Sequence, residues 1–462
     1  YSLISLYNEH EEFFRLPDTN LRFLLFNISM GLLILSISFR LNKVRHSSKF
    51  FDTTIRISLF TIFLFILITD KIYNIAYIVL FLLSTAYLII YRKNNLSRSE
   101  IFLLFSYFLF FYAAFVSAFL IKTPISEVDN YTRFLIAIPI YLTLREIKIN
   151  LGQFFCILNI TSILVGIFAI YCFIILEQFR VVGFTSSAII FGNISLVFAF
   201  ISFISLNYYL EKKKGIALPI FGFILSFSAW SLTGTRGALI AIFLFIILFT
   251  IKKFRKNFNM SNKTITILIL TTFGILIFQN NFIDCKRKFL SCPNVVQRII
   301  HDTYDSHKMT QRWDIWKGAM NIIQENPLTG VGLGNFNKEL GKQIDSKKIS
   351  KIRRDLKNPT AGQNHAHNQY LDIYVKNGIF GFFTLIYFIF INFRIFFNNL
   401  NSKIFETRII SVLGVTLVST YFAYMLNHTI LSHQVSTIFM LLILITLLAI
   451  INYKKNDPEK IK

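Results

Sequence analysis

The sequence predicts an all-α polytopic membrane protein, a bundle of twelve or thirteen transmembrane helices with one large external helical loop. Three observations predict it. Hydrophobic residues make up 54% of the 462 residues, with 53 Phe among them. Charged residues are only 16%, against about a quarter in ordinary globular chains. The apolar residues also come in blocks close to the length of a bilayer crossing, rather than at the spacing of a surface helix. A soluble domain could not bury this much apolar surface, and the mean hydropathy of +0.56 says the same. The formal net charge of +24 would by itself suggest a polyanion binder. In a membrane protein it is first a topological signal, so membrane lipids and not nucleic acid are the expected surroundings.

A helix needs about 20 residues to cross the hydrocarbon core. Thirteen stretches meet or approach that length: 21–39, 55–69, 73–91, 101–121, 131–144, 154–176, 187–209, 216–232, 237–251, 264–278, 379–397, 408–426 and 435–452. The second, fifth and ninth are short. The chain thus divides into an N-terminal extension with one extra span (1–54), a first part of the bundle (55–278), an external loop subdomain (279–378), and the last spans with a tail (379–462). Lys and Arg concentrate in cytoplasmic connections. One alternate set of connections is basic, with Arg40, Lys43, Lys212, Lys213, Lys214, Lys252, Lys253, Arg255 and Lys256. The opposite set is sparse, holding Lys71, Lys122, Arg180 and Arg236, with Arg133 at a span end. This parity places the C-terminus in the cytoplasm, and Tyr1 and segment 279–378 outside. An outside Tyr1 implies either an earlier helix, giving fourteen spans, or an extra element before a core of twelve.

Within the external segment, 310–324 places Trp313, Trp316, Met320 and Ile323 at helical spacing, which reads as an amphipathic helix lying on the membrane or on the bundle, ended by Pro327. Cys156 and Cys172 share one span and lie about 24 Å apart along its axis, too far to bridge. Cys285 and Cys292 fall in the external segment, where an oxidising compartment permits a disulfide; a bridge and two free thiols are both open.

Ionisable groups are costly in membrane bundles, so their clustering points to function. Arg133, Arg180 and Arg236 each lie at or beside the outer end of a span. A guanidinium stays charged and grips phosphate oxygens with a planar fork, so three of them would suit a phosphate or pyrophosphate headgroup. The alternative is interfacial snorkelling or local pairing, for example Arg133 with Asp129. The external segment also carries Asn364-His365-Ala-His367-Asn368-Gln-Tyr-Leu371 just before the eleventh span. A histidine there suits general-base work near neutral pH. It has no local Cys or carboxylate to complete a metal site, so no metal is expected. Upstream, Gln311-Arg312-Trp313 and Pro327-Leu-Thr-Gly330-Val-Gly332-Leu-Gly334-Asn335-Phe336 read as a helix followed by a glycine-rich turn that matches no nucleotide loop. The segment holds 16 basic and nine acidic residues, a surplus favouring an anionic lipid or glycan.

Taken together, Leu232-Thr-Gly-Thr-Arg236-Gly-Ala-Leu, Gln311-Arg312-Trp with Trp316, the 327–336 turn, and His365-Ala-His367-Asn368 with Leu371, Gly378 and Gly381 resemble the O-antigen ligase family of membrane glycosyltransferases. The resemblance runs from about Ile55 to the end. Thr235 stands where a Ser often precedes the arginine, and the N-terminal extension is unmatched. The resemblance implies a GT-C type helical bundle with a periplasmic loop subdomain in the bacterial inner membrane. It also implies transfer of polysaccharide from undecaprenyl pyrophosphate to the lipid A core, without cofactor, metal or nucleotide. It carries the functional histidine to His367 and the arginines to Arg133, Arg180, Arg236 and Arg312. In an inverting displacement the arginines would hold the leaving group and His367 would take the acceptor proton. His365 and Asn368 would orient His367 or a sugar hydroxyl. The alternatives are an O-antigen polymerase, a protein O-oligosaccharyltransferase and, from a different class, a lipid or polysaccharide transporter. Against the last stand the lack of mid-span carboxylates and of an inverted repeat.

Overall fold

The computed structural model describes residues 48–70, 72–91, 96–178, 180–213, 215–235, 237–251, 254, 306–349 and 364–455. Among them the chain is all-helical and contains no strand. In order, the helices are α1 (Ser48–Phe65), α2 (Ile72–Ile90), α3 (Arg98–Ile121), α4 (Asp129–Leu144), α5 (Leu151–Ile174), α6 (Ala188–Glu211) and α7 (Ala217–Leu232). They continue with α8 (Leu239–Thr250), α9 (Ser306–Glu325), α10 (Phe336–Asp345), α11 (Gln369–Asn399), α12 (Phe405–Asn427) and α13 (Gln434–Lys455), and 3-10 turns occupy Ile125–Val128 and Ile430–Ser432. Seven described helices, α2, α3, α5, α6, α11, α12 and α13, are long and apolar enough to cross a membrane. The sequence-read spans between 55 and 251 and beyond 379 fall on α1 to α8 and α11 to α13. The spans at 21–39 and 264–278, and the pair Cys285 and Cys292, lie outside the described residues.

Burial separates a centre from a rim. The apolar windows of α6 and α13 are 94% buried and that of α12 83%, against 33% for α2, so α6, α12 and α13 form the middle of the bundle. Rim helix α3 is apolar all round but buries only one face, with Leu103, Tyr107, Phe110, Ala114 and Ala118 inside. Ile101, Phe102, Phe105, Phe108, Phe115 and Phe119 point outward. A helix greasy on its exposed face needs hydrocarbon as its solvent.

Small and polar residues bring the central helices close. A Cβ on Gly166 of α5 would meet Leu225 of α7 at 2.4 Å, and one on Gly222 of α7 would meet Ser202 of α6 at 2.8 Å. Across the same seam, Asn159 Nδ2 donates to Ser205 Oγ at 3.0 Å and Ser202 Oγ to Ser162 Oγ at 3.0 Å. At the start of α3, Ser97 and Glu100 form a capping box. The buried Glu100 carboxylate also pairs with Arg145 at 3.1 Å and accepts from Tyr141 at 2.9 Å. Asn452 of α13 donates to Tyr141 Oη at 2.6 Å, which ties three helix ends together.

In the external segment, α9 buries Ile315, Ala319, Ile322 and Ile323 against Phe336, Leu340 and Ile344 of α10 and Val375 of α11. The apolar stripe read from the sequence is therefore displaced. Ile323 belongs to the core and Trp316 packs at its edge, but Trp313 is 65% exposed and Met320 46%. The reason is that α9 packs on α10 through its aliphatic residues, one position off the tryptophan register. The glycine-rich turn then docks main chain to main chain on α11. Val331 N–H donates to Val375 O at 2.8 Å, Gly332 N–H to Lys376 O at 3.0 Å, and Ile379 N–H to Pro327 O at 3.0 Å. Its counterpart is Gly378, where α11 kinks with φ 66°. A Cβ there would sit 2.0 Å from Leu328 O, so only glycine fits.

Candidate active site

Connections from distant parts of the chain converge at one end of the bundle. The segment ahead of α11 meets the α12–α13 turn, where Leu431 N–H donates to Gln369 Oε1 at 2.9 Å. That turn meets the α5–α6 connection through Ser186 Oγ and His433 Nδ1, 2.9 Å apart. The α5–α6 connection is joined to the turn after α7 by Arg180 Nε, which donates to Thr233 O at 2.9 Å. Gly237 lies against Asn427, beside His428.

The His365–Asn368 loop is held on three sides. Asn368 caps α11, its Oδ1 accepting from Tyr370 N–H at 3.0 Å and Leu371 N–H at 3.2 Å. Asp372, buried in the first turn of α11, accepts Ala366 N–H at 3.0 Å through Oδ1 and pairs with Lys376 Nζ at 2.8 Å through Oδ2. From α9, Trp316 Nε1 donates to Ala366 O at 3.0 Å. Both main-chain polar groups of the residue between the two histidines are thus taken, and His367 is left with φ 51°. A left-handed non-glycine residue costs about 1–3 kcal/mol and persists only where its surroundings over-determine it.

Four imidazoles gather here. Ring centroids lie 4.5 Å apart for His365 and His367, 6.0 Å for His367 and His428, 6.0 Å for His365 and His428, 6.2 Å for His365 and His433, and 5.1 Å for His428 and His433. His365 Nδ1, His367 Nδ1, His428 Nδ1 and His433 Nε2 are buried and find no hydrogen-bond partner among the described residues. Burial is the largest influence on their protonation and disfavours the charged form. It pushes His367 down to about 4, with His365 and Arg312 adding repulsion and Asp372 opposing. His433 is likewise lowered to about 4, by burial and then by His365. His428 is lowered to about 2, by burial and then its imidazole neighbours and Arg312. His365 is lowered in the same direction, again mainly by burial. At neutral pH the cluster is a set of neutral imidazoles beside a guanidinium, able to accept a proton and to face an anion. Among the described residues no three His, Cys, Asp or Glu side chains are arranged to hold a metal ion.

The structure brings together His365, His367 and Asn368, with Arg312 near enough for its charge to act on His367 and His428. Arg133 and Arg180 hold neighbouring connections. Arg133 pairs with Asp129 at 3.0 Å and donates to Asn130 Oδ1 at 2.5 Å, and Asn130 Nδ2 reaches Ser432 O at 3.4 Å. Arg180 bonds Thr233 as described. Arg236 lies outside the described residues. Sequence reasoning passed over His428, His433 and Ser186. The signal was the pair in His428-Thr-Ile-Leu-Ser-His433, in a short connection on the same side, by parity, as the histidine loop.

These features define a multi-pass, all-helical membrane protein with a histidine-rich polar site at one end of its bundle. Residues 221–386 match the family model described as "O-Antigen ligase", from α7 through the glycine turn and the histidine loop into α11. The match supports a function of the O-antigen ligase or related polymerase type. The chain is also similar to a protein of Haemophilus influenzae (strain ATCC 51907 / DSM 11121 / KW20 / Rd) described as uncharacterized, with 28% identity over 403 residues, covering 84% of this chain and 96% of that one.

Proposed function

We propose that this protein is an O-antigen ligase of the bacterial inner membrane. It transfers a polysaccharide from undecaprenyl pyrophosphate to a sugar of the lipid A core, on the periplasmic face and with inversion at the anomeric carbon. The observation that carries this reading is the neutral, half-buried His367 within reach of the Arg312 charge, on a loop pinned by Trp316, Asp372 and Asn368.

His367 takes the proton of the acceptor hydroxyl as its oxygen attacks the anomeric carbon. The bond to the pyrophosphate breaks, and its electron pair goes to the leaving phosphate oxygen. Fixed cations stabilise that developing charge more than the ground state. Arg312 is the arginine whose charge reaches His367 and His428, Arg180 sits on an adjoining connection, and Arg236 joins them on the sequence reading alone. Arg133, already paired with Asp129, contributes by swinging to the donor or by anchoring the turn that carries His433. His365 and Asn368 orient the base and the acceptor. The C-terminus lies on the cytoplasmic side, in keeping with the basic alternate connections.

The test is a lipopolysaccharide gel from cells lacking the protein, complemented with wild type or His367→Ala, alongside an assay of lipid-linked polymer. The expected outcome is no ladder with His367→Ala, long polymer accumulating on the carrier lipid, and a transfer rate reduced at least about 100-fold. A wild-type ladder from His367→Ala would remove the base. Core bearing a single repeat unit would make the protein a polymerase, and an unchanged ladder in the null strain would exclude this glycan altogether.

A further inference from the structure

The general base must lose its proton before each new turnover, and His367 is half-buried with its Nδ1 closed off from solvent. Its ring approaches two others, His365 at 4.5 Å and His428 at 6.0 Å, and both lead on to His433, at 6.2 and 5.1 Å. His433 Nδ1 is bonded at 2.9 Å to the hydroxyl of Ser186, an exposed residue. The buried ring nitrogens between these points have no partner among the described residues. We propose that His428, His433 and Ser186 form a proton exit that carries the acceptor proton from His367 to bulk water.

The proposal rests on the ligase reading and adds to it residues of the α12–α13 turn and the α5–α6 connection. The balance is simple. The acceptor O–H bond breaks and its proton goes to an His367 ring nitrogen, while the acceptor oxygen forms the glycosidic bond and the carrier pyrophosphate leaves with the electron pair. The proton then passes between imidazole nitrogens, through intervening water where rings are about 6 Å apart, and leaves at Ser186. No oxidant, metal or other co-reactant enters. The described charged groups facing this path are Arg312 from α9, Asp372 and Lys376 from α11, and the Arg133–Asp129 pair reached through Asn130 and Ser432. Burial disfavours the protonated form of His367, so the proton it takes from the acceptor is readily given up again.

His433 and Ser186 act through His367, so they are positioning and relay residues, and the test needs a readout that packing alone does not move. Purified protein in detergent micelles is assayed with the lipid-linked glycan and lipid A core acceptor across pH, for wild type, His367→Ala, His433→Ala, His433→Asn and Ser186→Ala. Asn retains a polar atom for Ser186 but cannot take up and release a proton near neutral pH. Both His433 variants are expected to lose at least about tenfold in turnover with donor KM little changed. Added imidazole should restore much of the His433→Ala rate, and Ser186→Ala should show a smaller loss in the same direction. Wild-type turnover and pH profile in both His433 variants overturn the relay, as does a loss that is equal at every pH and unresponsive to imidazole. Full activity of His367→Ala would instead overturn the ligase base itself, so the two failures are separable.

Discussion

At the scale of single residues, Arg312 and Asp372 set the chemistry of His367 from opposite sides. Arg312 disfavours its protonation and Asp372 favours it. Because burial holds the imidazole neutral, the acid limb of kcat/KM, which reports the free enzyme, should fall below the ordinary histidine value of about 6.5. Replacing Arg312 by Gln removes a repulsive charge, so that limb should move up in pH while the maximal rate drops. A limb that stays in place would mean that Arg312 is not coupled to the base. Asp372→Ala removes the acceptor for Ala366 N–H and strands Lys376 Nζ. Breaking one side of a buried pair costs about 3–5 kcal/mol, and His367 is then free to leave its left-handed conformation. Thermal unfolding and transfer rate should both fall; an active, equally stable variant would show that the loop is held elsewhere. The motif signalled His365, His367 and Asn368 because polar residues were dense beside an apolar run. Asp372 gave no such signal, since one carboxylate in a helix's first turn is common and its role is visible only once Ala366 is folded back onto it.

Among elements, helices were legible wherever hydropathy alone decides. The stretches at 101–121 and 154–176 coincide closely with α3 and α5, because a crossing helix is a length requirement on apolar residues. The start of α11 was not legible in this way. The span begins at 379 by hydropathy, whereas the helix begins at Gln369 and kinks at Gly378, and its polar first turns are held by the glycine turn of the external segment. Likewise Trp313 and Met320 fit a helical stripe on paper, but the choice of buried face belongs to the partners, α10 just downstream and Val375 of α11 further along the chain. The docking of 327–334 on α11 makes a sharp prediction. Gly378→Ala introduces a side chain at positive φ against Leu328 O. It should cost at least about 2 kcal/mol, read as lowered thermal stability and as faster proteolysis of the external segment, while Gly215→Ala, at a position with open space around it, should change neither.

For the molecule as a whole, the histidine cluster links folding to pH. Each imidazole binds a proton less readily folded than unfolded. Stability is therefore complete above the unfolded value of about 6.5 and declines as pH falls through it toward about 4. The protein in detergent should unfold at progressively lower temperature between pH 7 and pH 5. His428→Leu, which removes the deepest imidazole, should flatten that slope. A melting temperature independent of pH in wild type would place the cluster in contact with water.

The glycine latch has a consequence for how such a protein varies over time. Its grip on α11 is written in main-chain amides and carbonyls, so it depends on which side chains are missing at Gly330 and Gly378 and hardly on which are present around them. Outward positions of α9 and α10 are therefore open to substitution while the external segment keeps its seat on the bundle.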